Sequence, residues 1–221
     1  NIEKLHAAQT RDGIKIETTP GVTCRRKGVA IEKVGIYIPG GSAPLFSTVL
    51  MLGIPALLAG CKQVVLCSPP DQSGEINAAI LFAAKLVGVT KVYKVGGAQA
   101  VAAMAFGTES IPKVYKIFGP GNQYVTKAKQ LVMEEGLAID ITAGPYEVLI
   151  VADEYATPSF VAADLLSQAE HGEDSQVILV LPKEELFPSI QREMESQLSR
   201  LPRISIAEKS LLNSRVVILK N

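Results

Sequence analysis

From Ile31 onward, the sequence alternates short runs rich in β-branched residues with longer runs rich in alanine and leucine. Four of the short runs end on a glycine or proline turn, as strands commonly do: IEKVGIYIP, KQVVLCSPP, KVYKVGG and KVYKIFGPGN. The runs between them have the length and composition of helices: LFSTVLMLGIPALLAG, GEINAAILFAAKLVGV and AQAVAAMAFG. Strands that alternate with helices predict an α/β fold in which a parallel sheet is covered on both faces.

A second block of the same kind follows the segment AGPYE, so we predict a domain boundary at or near Gly144-Pro145. EVLIVAD and SQVILVLP are predicted strands, with a helix over Thr157–Gly172 between them and another over KEELFPSIQREMESQL, broken near Pro188. RISIAEK and SRVVILK are predicted as further strands. The residues through Arg26, which include the turn TTPGVTC, are predicted to form a helix and a connector.

The helix over Thr157–Gly172 has start and stop signals at its two ends, because Thr157 can cap it, Pro158 suits its first turn and Gly172 can end it. Asp164, Gln168 and His171 are spaced by four and three residues, which places them along one face. Such a stripe is usually a solvated face, and the helix dipole alone favours a histidine in the last turn. The spacing therefore leaves a metal site and a solvated face both open.

Composition restricts the class of protein and its partners. The 221 residues are 48% hydrophobic and 20% charged, which suits a globular chain with one substantial core or two modest ones. The 22 basic residues balance the 22 acidic ones without a basic run, so composition offers no case for a nucleic acid or an anionic membrane. The most apolar stretch, Val49–Gly60, is interrupted by Gly53 and Pro55 and is too short to cross a bilayer.

The three cysteines, Cys24, Cys61 and Cys67, form no C-x-x-C motif and are odd in number. This pattern favours free thiols in a reducing compartment, so we expect a cytoplasmic protein. His6 is expected to be an exposed helix position without a functional role.

Five longer strings carry a resemblance to a known family: YIPGGSAPLFSTVLM, VGGAQAVAAMAFGT, KIFGPGN, AIDITAGPYEVLIVAD and DLLSQAEHGEDSQVILV. In this order they resemble histidinol dehydrogenases over nearly all of the chain. The resemblance implies two Rossmann-like open parallel-sheet domains of the aldehyde-dehydrogenase-like type, the second incomplete. Residues 1–34 would form an N-terminal helix and connector that packs with the second domain, 35–144 a central NAD-binding domain, and 145–221 part of a zinc and substrate domain.

The resemblance also implies roles in metal and substrate binding for Gln168 and His171. In the family, the matching residues are ligands of one zinc ion per site and touch the substrate. The family's other ligands, an aspartate and a histidine from the partner subunit, come later in its chain, as do the glutamate and histidine that accept protons. We therefore expect a segment lacking the N-terminal and C-terminal parts of the family chain, with an incomplete zinc site and no assignable general base.

Three residues match the family's NAD contacts: Tyr37, Gln99 and Asn122. They stand beside the glycine turns Gly40-Gly41, Gly96-Gly97 and Gly119-Pro120-Gly121, where free backbone N–H groups would favour an anion such as a pyrophosphate. None of these turns is a G-x-G-x-x-G fingerprint, and glycines alone are more often ordinary tight turns. Without the resemblance, the three polar residues would be interpreted as a sheet residue, a first-turn helix residue and a helix cap.

Tyr146 departs from the family pattern, because the family usually has a substrate-binding serine where this chain has tyrosine. A phenol is much larger than a hydroxymethyl group, so the tyrosine would either reshape the substrate pocket or turn outward. Both interpretations remain open.

The resemblance implies the four-electron oxidation of L-histidinol to L-histidine through L-histidinaldehyde with two NAD, the last steps of histidine biosynthesis, in a homodimer. Two alternatives belong to other classes of protein. The first is a nucleotide-binding α/β module without catalysis. The second is an aldehyde-dehydrogenase-like enzyme with Cys61 or Cys67 as its nucleophile, which lacks a nearby histidine in sequence to activate either thiol.

Overall fold

The structure is a computed structural model that describes residues 1–40, 45–140 and 147–219. It divides into two compact units, Asn1–Ala143 and Gly144–Asn221. In this division residues 1–34 belong to the first unit. Their expected packing with the second domain, and the three-part domain division as a whole, stay predictions.

The N-terminal segment begins with helix α1 (Ile2–Ala7), as predicted, and continues into a hairpin of strands β1 (Ile14–Thr19) and β2 (Val22–Arg26). The prediction of a connector here was wrong for these two strands. The Pro20-Gly21 turn reverses the chain, with Gly21 at φ +81°. Every residue of both strands is exposed, although residues 14–17 alternate apolar and polar side chains as a half-buried strand does.

The first unit contains the predicted parallel sheet, and the α/β prediction is confirmed. Its five strands run parallel in the order β5-β4-β3-β6-β7. They are β3 (Lys33–Tyr37), β4 (Gln63–Ser68), β5 (Lys91–Lys94), β6 (Lys116–Phe118) and β7 (Ala138–Ile139).

Four helices cover this sheet: α2 (Phe46–Leu58), α3 (Ala78–Leu86), α4 (Gly97–Phe106) and α5 (Gln123–Glu134). Two buried clusters separate them by face. Leu66 and Ile36 pack with α2 and α3, whereas Tyr37 and Cys67 pack with α4 and α5. Neighbouring residues of one strand point to opposite faces, which explains why near-continuous apolar strands are needed here.

The strand order contains one reversal of direction. The chain starts at β3 in the middle, builds β4 and β5 on one side, and then crosses to β6 and β7 on the other. The carboxyl ends of β3 and β6 therefore form the topological switch point, where open α/β sheets have the crevice that binds ligands.

The second unit is a smaller parallel sheet with strands in the order β10-β9-β8. Its elements are β8 (Glu147–Val151), α6 (Pro158–Ala169), β9 (Gln176–Leu181), a 3-10 turn (Glu184–Leu186), α7 (Phe187–Leu198), α8 (Ile204–Leu212) and β10 (Arg215–Ile218). One face of β9 is buried against α6, where Leu179 packs with Leu165 and Ala169. Helix α7 begins at Phe187, so Pro188 lies in its first turn, where no backbone donor is needed. The predicted helix is divided just before Pro188, because its first residues form the 3-10 turn that ends at Leu186.

Two predictions in the second unit were wrong in detail. RISIAEK is not a strand, because helix α8 begins at Ile204 and includes the rest of this segment. Ala207 and Ser210, three residues apart, lie on its buried face. Helix α6 ends at Ala169, with Glu170 at its cap, so His171 lies beyond the helix. Among the residues that the structure describes, no helix has both the length and the apolar character needed to cross a bilayer.

Candidate functional site

Tyr37 lies at the carboxyl end of β3, and only 4% of its surface is exposed. Its hydroxyl oxygen accepts a hydrogen bond from the backbone N–H of Gly97 at 3.1 Å. The Gln99 side chain reaches the same glycine, because its Oε1 lies 2.9 Å from the position of a Cβ on Gly97. Two of the predicted nucleotide contacts therefore converge at the start of α4.

The third predicted contact, Asn122, follows the end of β6. Its Oδ1 accepts hydrogen bonds from the N–H groups of Tyr124 and Val125, each at 3.1 Å, so it caps α5. Just before it, Gly119 packs directly against Tyr37, and a Cβ at Gly119 would lie 2.0 Å from the Tyr37 carbonyl oxygen. The ends of β3 and β6 are thus in direct contact at the switch point.

The structure brings Tyr37, Gln99 and Asn122 to one edge of the sheet and to the face covered by α4 and α5. Their roles as NAD contacts stay predictions. The backbone donors of two neighbouring turns are already occupied, since Gly97 donates to Tyr37 and Gly119 to the Asp140 carboxylate. At these two positions the glycines act as tight turns, and Gly41 lies outside the described residues.

Sequence reasoning missed an ion pair beside this edge. Lys129 on α5, with 4% of its side chain exposed, pairs with Asp140, which follows β7. Lys129 Nζ also donates to the Gly119 carbonyl oxygen at 3.0 Å, and Gly119 N–H donates to Asp140 Oδ2 at 2.7 Å. The available signal was a lysine at helical spacing between Val125 and Val132, both buried, where an apolar residue is expected.

The predicted metal ligands belong to the second unit. Gln168 lies in the last turn of α6, and its Nε2 is buried without a hydrogen-bond partner among the residues that the structure describes. His171 is exposed, and its backbone N–H donates to the Gln168 carbonyl at 3.1 Å. Because His171 lies beyond the helix, the predicted stripe through Asp164 continues along the helix only as far as Gln168.

Gln168 fits part of a zinc site, and an imidazole such as that of His171 is a common zinc ligand. An amide presents either its nitrogen or its oxygen at a given position, so the buried, unpartnered end of Gln168 accommodates the oxygen a cation needs. Within residues 1–40, 45–140 and 147–219, no three His, Cys, Asp or Glu side chains are grouped to hold a metal ion. Tyr146 lies outside the described residues.

Neither cysteine of the alternative mechanism has the character of a nucleophile. Cys67 is fully buried within β4, and this burial raises the pKa of its thiol from 9.0 to about 12. Desolvation also raises the pKa of the half-buried Cys61 thiol, against a smaller lowering by a backbone hydrogen bond. A catalytic thiol needs the opposite shift, so the structure disfavours this alternative.

Solved structures define the class of fold. A NAD-dependent aldehyde dehydrogenase from Sinorhizobium meliloti shares the fold over 90% of this chain and 39% of its own, with a TM-score of 0.57 and 16% identity. A histidinol dehydrogenase from Elizabethkingia anophelis matches much more closely, with a TM-score of 0.96 and 61% identity over all of this chain and 51% of its own. The class is therefore a parallel-sheet α/β dehydrogenase fold.

The family follows from the whole sequence. The family model described as histidinol dehydrogenase matches residues 1–221. A histidinol dehydrogenase of Bacteroides fragilis (strain YCH46) is 65% identical over all 221 residues, which correspond to 52% of its own length. The chain belongs to the histidinol dehydrogenase family and spans about half the length of the curated relatives it matches.

Proposed function

We propose that the whole protein oxidises L-histidinol to L-histidine through L-histidinaldehyde, reducing two NAD in succession, and that this chain supplies part of the site. The observation that supports this most is the family match over every residue of the chain. NAD would be contacted by Tyr37, Gln99 and Asn122, whose positions at the switch point suit a dinucleotide. The resulting activity is that of a histidine-biosynthetic oxidoreductase.

Zinc would be held by Gln168 and His171 together with ligands from elsewhere in the protein, since catalytic zinc ordinarily takes three protein ligands. When bound, the metal would supply Lewis-acid polarisation and orientation of the amino alcohol. Gln168 and His171 would bind the substrate beside it, and Tyr146 would border the same space. The second unit would then be part of a larger domain of the aldehyde-dehydrogenase type, in a homodimer located in the cytoplasm.

The test measures NADH formation from L-histidinol by the whole protein, monitored through the absorbance of NADH. Gln168→Ala and His171→Ala are expected to lower kcat roughly 100-fold or more, because each removes a metal ligand. The matched controls are Gln191→Ala, an exposed glutamine on α7, and His6→Ala, the other histidine of the chain. Both controls should keep the activity of the unchanged protein.

A second candidate function is a nucleotide-binding module without catalysis. It would be supported by NAD binding in calorimetry together with no NADH formation from histidinol in zinc-loaded whole protein. Absence of both NAD binding and turnover would contradict both candidates.

A further inference from the structure

We infer that Lys129 and Asp140 act as positioning residues for the nucleotide, by fixing the Gly119–Asn122 turn against Tyr37. The inference rests on the proposed NAD site and adds two residues that act on it through Gly119, without touching the nucleotide. The supporting observation is that both members of the pair form hydrogen bonds with the same residue. Lys129 binds the carbonyl oxygen of Gly119, and Asp140 binds its N–H.

Position 119 in the turn requires glycine, but glycine also leaves the backbone of the turn more conformational freedom. Gly119 has φ +129°, a conformation that L side chains rarely adopt, and a Cβ there would lie 2.0 Å from the Tyr37 carbonyl oxygen. Glycine has more accessible backbone conformations than any other residue, so it does not hold this geometry by itself. Hydrogen bonds to its N–H and to its carbonyl oxygen hold this geometry, because each bond fixes the orientation of one peptide plane.

The pair is suited to this role by its burial. Only 4% of the Lys129 side chain and 25% of the Asp140 side chain are exposed, so water competes little for either group. Forming a buried ion pair contributes little net stability, because desolvation offsets much of the attraction, and in some proteins such a pair instead specifies one geometry. The pair therefore fits a role in fixing the turn better than a role in stabilising the fold.

The orientation of this turn affects the proposed nucleotide contacts on both sides of it. Asn122 lies three residues after Gly119, so the orientation of the turn fixes where its side chain lies. The carbonyl of Tyr37 packs against Gly119, and the Tyr37 hydroxyl reaches Gly97. A looser turn would displace these groups and weaken NAD binding, while the histidinol ligands Gln168 and His171 belong to the other unit.

The experiment uses the whole protein with Lys129→Met and Asp140→Asn. Lys129→Met keeps the length of the side chain without its charge, and Asp140→Asn keeps an oxygen for the Gly119 N–H. Calorimetric titration with NAD should show Kd raised about tenfold in both variants, with KM for histidinol little changed. Hydrogen exchange in nucleotide-free protein should be faster in the peptide that contains Gly119.

The matched control is Lys62→Met. Lys62 pairs with Glu32 at 3.4 Å at the amino ends of the strands in the same unit, and 77% of its side chain is exposed. It should leave both NAD affinity and exchange at Gly119 unchanged. Lys129→Arg, which keeps the charge, should lose less NAD affinity than Lys129→Met.

Two results would overturn the inference. One is an NAD Kd within about twofold of the unchanged protein in both variants, even where the melting temperature falls or the turn exchanges faster. The other is an unchanged protein that binds no NAD, which would remove the proposed function as well and so is distinguished from the first. If Lys129→Met does not fold, Asp140→Asn alone decides the question by the same Kd criterion.

Discussion

Tyr37 connects three parts of the first unit through three different groups. Its ring packs in the cluster beneath α4 and α5, its hydroxyl accepts from Gly97, and its carbonyl lies against Gly119. A phenylalanine could satisfy the first of these contacts but not the second. The residue therefore combines core packing with a polar contact at the sheet edge, which explains why its structural and functional interpretations are compatible.

Gly119→Ala is expected to destabilise the protein by about 3 kcal/mol or more, because the added Cβ meets backbone atoms and the positive φ is strained. Gly136→Ala is the matched control. Gly136 has φ +88° with nothing near the added Cβ, so it should cost about 1 kcal/mol from conformation alone. Urea unfolding of the two variants measures the difference, and equal losses would contradict the close contact at Gly119.

The Cys67 thiol makes stability depend on pH in alkaline solution. Burial raises its pKa from 9.0 to about 12 in the folded chain, so the folded chain keeps a proton that the unfolded chain loses between these values. The free energy of unfolding is therefore expected to fall as pH rises through this window, and to show the full contribution below it.

The measurement is urea unfolding across that window. Cys67→Ala should flatten the pH dependence even though it removes packing, whereas Cys24→Ala, at an exposed position of the hairpin, should not. A slope unchanged by Cys67→Ala would contradict the assignment.

At the scale of elements, the strands and helices of the first sheet were predictable because their apolar runs are buried and punctuated by glycine and proline. The hairpin β1-β2 was not predicted, although residues 14–17 alternate apolar and polar side chains before the Pro20-Gly21 turn. The strand predicted over RISIAEK is part of helix α8 instead, because so short a run does not separate the two periodicities, and its buried face depends on tertiary packing. The convergence on Gly97 and Gly119 likewise depends on strand order, which the motifs alone do not specify.

Asn122 has a structural role and a proposed functional one, and two substitutions separate them. Asn122→Ala should cost about 1 kcal/mol of stability by removing the cap of α5, and should also weaken NAD binding. Asn122→Asp keeps a capping oxygen for Tyr124 and Val125 but has no amide donor. It should preserve stability while weakening NAD binding in the whole protein.

Thermal or urea unfolding together with calorimetric NAD titration distinguishes the two effects. If Asn122→Asp binds NAD as well as the unchanged protein does, the amide group contributes only the cap. A loss of stability in Asn122→Asp similar to that in Asn122→Ala would instead contradict the capping role.

At the scale of the whole molecule, the two compact units carry different parts of the proposed chemistry. The first unit gathers the polar residues of the switch point, and the second carries Gln168 and His171. Sequence alone predicted these residues through the family resemblance. What it could not supply was the position of His171 outside α6, because the helix end depends on how the chain turns toward β9.

The 221-residue chain alone is expected to retain no stoichiometric zinc after dialysis against a mild chelator, and to form no NADH from histidinol. It contains only two histidines, His6 and His171, and its described residues group no three His, Cys, Asp or Glu side chains for a metal. Gln168 and His171 leave such an ion short of the three protein ligands that catalytic zinc ordinarily takes. Metal analysis of the dialysed chain measures this directly, with His171→Ala as the control for zinc bound elsewhere. Stoichiometric zinc that His171→Ala removes would show that two ligands of this chain suffice.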